Sequence, residues 1–268
     1  MRKILRALVA FGFLYAAPIA WAAFASVGTI GTATSTSAGT TLVLTPTNTC
    51  NAGNFCTLNI ALDNTCTSDG NTTEVSGVVD SVGNSYLFFR EFCHGTAGAG
   101  NGAAVSNWGV IPTTNLTSSD TVTITFANTI TSKAANMWEF TIGAGNTVTV
   151  AGNAADSGLD ASDPASMAIS GLSSQEYLFV RSIALEGNSG NFTVTGSYTA
   201  FTLALANTGT ASTSIFTRGE FRILTGTGDT SDPATSVDLD HASIYLALKE
   251  TPPAAVNFFP RRIQRGGP

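Results

Sequence analysis

Apolar and polar residues alternate along most of this chain in short runs with period two, the spacing of half-buried strands. Residues 121–127 (TVTITFA) carry the pattern most clearly. Val122, Ile124 and Phe126 share one face there, and Thr121, Thr123 and Thr125 share the other. Comparable runs rich in Thr, Val, Ile and Phe lie at 41–45, 55–62, 74–79, 85–91, 137–142, 147–151, 166–170 and 177–185. Others follow at 191–196, 198–206, 214–217, 220–224 and 242–249. Gly, Asn, Asp and Ser punctuate them. The turn residues at 80–84 predict a hairpin joining 74–79 to 85–91, and those at 143–146 a second one joining 137–142 to 147–151. Residues 154–164 predict a loop. The expected fold is all-β: an antiparallel β-sandwich, jelly-roll-like, with no substantial helix after the N-terminal segment.

That N-terminal segment reads as an export signal. Arg2, Lys3 and Arg6 precede the uncharged run ALVAFGFLYAAPI, and Ala20-Trp21-Ala22 supplies a small-x-small cleavage pattern. Cleavage is expected before Ala23. The alternative is an uncleaved membrane anchor, since the uncharged run from Ala7 to Ala25 approaches the roughly 20 residues a span needs. The expected organisation is therefore a signal peptide over 1–22 and a flexible lead-in of small polar residues over 23–40. A single β-sandwich domain over 41–250 and a Pro-rich basic tail over 251–268 complete it. The tail joins Phe258-Phe259-Pro260 to Arg261, Arg262 and Arg265.

Only 11% of residues are charged, against a usual ~25%, so Thr, Ser, Asn and Gly must supply most of the polar surface. Between Ala23 and Glu250, six basic side chains face 18 acidic ones, a balance of −12. An acidic body argues against nucleic-acid binding, which needs basic surface to displace counterions.

Cys50, Cys56, Cys66 and Cys93 allow three disulfide pairings, and an exported chain favours forming them. Cys50–Cys56 and Cys66–Cys93 are preferred. The first closes a short loop, and the second ties a loop to a strand end. A zinc site using His94 beside Cys93 is the alternative, but no C-x₂₋₄-C pair accompanies it.

Catalytic motifs are sparse. His94 and His241 are the only histidines, and no G-x-S-x-G, H-E-x-x-H or Walker A pattern occurs. The chain is accordingly read as a non-enzyme. Calcium is the cofactor to consider. Asp156, Asp160 and Asp163 crowd one expected loop, and Asp229 and Asp232 another, with the hard oxygen donors Ca²⁺ prefers. Turn and capping roles explain the same aspartates equally simply. Trp108 is the first candidate for stacking on a ligand, a sugar above all.

The order V-x-D-S-x-G-N-x-Y at 78–86, T-V-T-I-T-F at 121–126 and S-K-A-A-N-M-W-E-F at 132–140 resembles β-sandwich surface and virion proteins of bacteriophages and related exported bacterial proteins. The resemblance covers 74–142. It implies a structural or attachment role and supplies no catalytic residues. The functional expectation is a non-enzymatic extracellular, cell-surface or virion protein. Its polar loops would contact a surface glycan, a protein subunit or a second copy, with a membrane partner only if the N-terminal segment stays attached. The alternatives are a carbohydrate-binding module assisted by calcium, and a secreted glycoside hydrolase with Asp238, Asp240 or Glu139 in a cleft.

Overall fold

The computed structural model describes residues 23–63, 66, 68–95, 102–158, 164–189, 192–235 and 240–254. The expected signal at 1–22, and the tail from residue 255 onward, lie outside them. In chain order the strands are β1 (Ala25–Ser35), β2 (Gly39–Leu44), β3 (Phe55–Asp63), β4 (Val75–Asp80), β5 (Tyr86–Gly95), β6 (Gly102–Val110) and β7 (Val122–Ile130). Then come β8 (Lys133–Thr141), β9 (Thr147–Gly158), β10 (Met167–Ile169), β11 (Gln175–Glu186), β12 (Phe192–Thr193), β13 (Thr199–Ala200) and β14 (Ala204–Ala206). The remainder are β15 (Ile215–Thr217), β16 (Glu220–Gly226), β17 (Asp229–Ser231), β18 (Ala234–Thr235) and β19 (His241–Thr251). Among the described residues the one helical element is a 3₁₀ turn at Ala211–Thr213, so the all-β expectation is met.

Three antiparallel sheets stack face to face. The central one has the order β1-β8-β3-β6-β5. On one side lies the small sheet β2-β7-β4. On the other, β11 pairs with β19 along one edge and with β16 and β15 in turn along the other, while β9 extends the sheet beyond β19. Leu58, Ile60 and Leu62 of β3 pack with Leu42, Leu44, Val78, Val122, Ile124 and Phe126 of the small sheet. The opposite face of the central sheet sends Phe55 and Phe140 against Leu178, Val180, Phe221, Leu246 and Leu248. Every residue of β3 is buried as a result. Each such aliphatic or aromatic side chain contributes about 1.5–3 kcal/mol when removed from water.

The face of the central sheet turned toward β11 also carries a row of amides. Asn59 lies directly opposite Asn107 on β6 and Asn136 on β8. Asn107 Nδ2 donates to Asn59 Oδ1 at 2.7 Å, and Asn59 Nδ2 donates to Asn136 Oδ1 at 2.7 Å. Asn107 Nδ2 reaches the facing sheet at Ser182 Oγ, 3.0 Å away. A one-residue slip of any of these strands would turn an amide into the aliphatic core on the other side, so the row pins the register.

Four local expectations change. The expected lead-in at 23–40 is largely strand. β1 pairs with β8 through nine residues of register, and Ile30 is buried. Small Gly, Thr and Ser residues suffice because β1 is an edge strand broken by two register shifts. The turn at 80–84 does not close a hairpin: β4 pairs with β7 in the small sheet, and β5 with β6 in the central one. Asp80 accepts hydrogen bonds from the Val82 and Asn84 backbone and from Asn84 Nδ2, which makes the turn a corner between layers. The second expected hairpin behaves alike, with β8 in the central sheet and β9 beside β19. Finally, β9 runs on to Gly158, into the expected loop at 154–164.

Candidate functional site

Outward-facing positions of the small sheet form two cross-strand rows. Val43, Thr123 and Val79 stand side by side across β2, β7 and β4, and Thr41, Thr125 and Gly77 form the next row. Val43 is 49% exposed and Val79 61% exposed. Both are the outward members of consecutive apolar pairs, Leu42-Val43 and Val78-Val79. Strict alternation would place a polar residue there, and that break is the sequence signal that marks them. The two rows carry methyl and hydroxyl groups and no charge.

On β5, an edge strand of the central sheet, Phe88 is half exposed and meets Trp108 of β6 edge-to-face, with ring centroids 5.2 Å apart. Trp108 is itself half-buried against the aliphatic core, and its Nε1 donates to Ser106 Oγ. The structure thus gives the sequence-predicted Trp108 an aromatic partner, Phe88. The neighbouring Leu87 is also half exposed.

Both preferred disulfides are present, Cys50–Cys56 and Cys66–Cys93. The loop closed by the first is held from inside by Glu139. Its Oε1 accepts hydrogen bonds from the Asn51 backbone at 2.7 Å, from Asn51 Nδ2 at 2.9 Å and from Asn54 Nδ2 at 2.8 Å. Glu139 lies near both Cys50 and Cys56. Because the two sulfurs are bonded to each other, they offer no thiolate to a metal. Glu139 is 1% exposed and serves as a loop clamp.

A second acidic group gathers where β3, β5, β11 and β19 meet. Asp63 and Glu186 hydrogen-bond to each other through their side chains. Burial pushes Glu186 up to about 9, helped by the charges of Asp240 and Asp63, and pushes Asp63 up to about 7. Both carboxyls therefore hold their protons to higher pH than free carboxyls do. Burial also raises Asp240. His94 connects this group to the surface, with Nδ1 2.9 Å from Asp69 Oδ1 and Nε2 3.7 Å from Asp240 Oδ1. Asp69 is exposed, whereas Asp63, Glu186 and Asp240 are each 2% exposed. Residues separated by more than 170 positions meet here, and no local motif announces the cluster.

Of the expected calcium ligands, Asp160 and Asp163 lie outside the described residues. The Asp156 backbone belongs to β9, opposite Ser243, instead of a loop. In the second acidic segment, Asp229 is engaged by Arg222 Nη1 at 3.1 Å and by the Tyr198 hydroxyl at 2.8 Å. Asp238 lies outside the described residues, and Asp240 belongs to the buried group above. Among the described residues, no helix is long and apolar enough to cross a membrane. No family model, curated protein or solved structure matches the chain.

Proposed function

We propose that this chain is an exported, non-enzymatic structural or attachment protein that docks through the outer face of its small sheet. The observation that carries the reading is the uncharged row Val43–Thr123–Val79, in which two exposed apolar side chains flank Thr123 on the outer face of the small sheet. Such a face suits contact with a protein subunit or a second copy, because exposed apolar groups gain free energy when covered and no charge has to be desolvated. Two disulfides suit an oxidising compartment outside the cytosol, in keeping with the N-terminal signal pattern. The resemblance over 74–142 to surface and virion sandwiches points the same way. The test is the pair V43E and V79E made together. Both positions are exposed, so folding should persist by circular dichroism. Retention on the surface or particles of the native source should fall at least tenfold. Unchanged retention would remove the small sheet from the interface.

A second reading rests on the Phe88–Trp108 pair. A half-exposed aromatic beside a half-buried one is a platform for the apolar face of a sugar ring. Affinity electrophoresis in polysaccharide gels would separate the two readings. The carbohydrate reading requires retardation that W108A and F88A abolish, and the docking reading requires none.

A further inference from the structure

We propose that the cleft beside Phe24 receives the protein's own processed N-terminus: cleavage before Ala23 creates an α-ammonium that pairs with Glu176 and Glu250, so export processing supplies an ion pair to the fold. The inference rests on the export reading above.

The cleft holds about 480 Å³ and is lined in part by Ala23, Phe24, Gln175, Glu176, Lys249 and Glu250. Phe24 fixes where the chain enters. Its ring is buried in the cluster of Leu178, Val180, Leu246 and Leu248, and its N–H donates to Glu176 Oε1 at 2.7 Å. The nitrogen of Ala23 lies one residue earlier, about 3.5 Å along the backbone, and so within about 6 Å of that carboxylate. Ala23 itself is exposed. From the neighbouring strand β19, Glu250 also lines the cleft, and its Oε2 accepts hydrogen bonds from the Gly143 backbone at 2.8 Å and from Asn146 Nδ2. Its Oε1 is buried and has no hydrogen-bond partner among the described residues.

Two carboxylates therefore line the cleft where the mature chain would begin. Burial pushes Glu176 up, and the charge of Glu250 adds to that push, so the two carboxylates sense each other in the cleft. Lys249 also lines it but makes no ion pair within 4 Å among the described residues. In the uncleaved chain the Ala23 nitrogen is a neutral amide. Hydrolysis of the Ala22–Ala23 bond adds one water, leaves a carboxylate on Ala22 and gives Ala23 an amine that is protonated at neutral pH.

An ammonium held beside carboxylates keeps its proton longer. Its stabilising effect is full below the ordinary α-amino pKa of about 7.7–8.0 and disappears as pH rises through the higher folded-state value. The charged groups facing it are Glu176 from β11 and Glu250 and Lys249 from β19.

The test uses protein released from a fusion so that Ala23 is the first residue, folded with both disulfides. The Ala23 α-amino pKa is read from the pH dependence of selective N-terminal acylation. The expected value lies about one unit above the ordinary one, a tenfold shift in the proton equilibrium. Glu176→Gln with Glu250→Gln should return it to the ordinary value. The first of these substitutions leaves an amide oxygen that can still accept the Phe24 N–H. If the double variant fails to fold, Glu250→Gln alone should lower the value. An ordinary pKa in the starting protein, or one unmoved by these substitutions, overturns the proposal. The export reading fails separately, by the N-terminal peptide of the native protein beginning elsewhere than at Ala23.

Discussion

The carboxyl groups of Glu186 and Asp63 share a hydrogen bond in the interior, with Glu186 raised to about 9 and Asp63 to about 7. Both folded-state values exceed the ordinary carboxyl range, so the folded protein binds more protons than the unfolded chain between about pH 4 and pH 9. Their contribution is greatest below pH 4 and is lost as pH rises through 7 and then 9. Each group protonated only in the folded state adds a slope of about 1.4 kcal/mol per pH unit. Urea unfolding at pH 5, 7 and 9 should show stability falling throughout. Glu186→Gln should flatten the fall above pH 7.

The amide row makes a second prediction. Asn107→Ala removes the donor to Asn59 Oδ1 and Ser182 Oγ inside a closed layer, and should destabilise by about 1–3 kcal/mol. Ser182→Ala combined with it should cost less than the sum of the two single changes, because both sever one network. Denaturant midpoints for the cycle check this.

The disulfides differ in span. Cys66–Cys93 closes a 27-residue separation and Cys50–Cys56 one of 6. Loop entropy gives about 3–4 kcal/mol for the first and about 2 kcal/mol for the second. Cys→Ala pairs compared by thermal unfolding should rank in that order.

Gly219, at φ +57°, lets β15 and β16 both follow β11. A Cβ there would meet the Arg181 carbonyl oxygen. Gly219→Ala should cost at least about 1 kcal/mol from backbone conformation, and more from the clash. Thermal unfolding of the variant gives the value.

Much of the strand content was legible because alternation and turn chemistry are local. β7 is read directly from TVTITFA, and the two disulfides match the preferred one of the three pairings that the cysteines allow. Partners were not legible. The turns at 80–84 and 143–146 carry hairpin chemistry, yet each passes the chain to a different layer, because a turn sets direction and packing chooses the neighbour. β6 escaped detection because Gly102, Ala103 and Ala104 are too small to read as a strand, although a central position buries them fully. The burial of Asn59, Asn107 and Asn136 is not legible in the sequence, because the amide row forms only when β3, β6 and β8 pair and the β11 sheet packs over them. The cluster of Asp63, His94, Glu186 and Asp240 exists only through tertiary contact.

The most direct test of the account is peptide mass spectrometry of medium, membrane and particle fractions from the native source, recording the N-terminal peptide. The account predicts a chain beginning at Ala23 in the medium or on particles or cell surfaces. A chain beginning at Met1 and confined to membranes or the cell interior would contradict it.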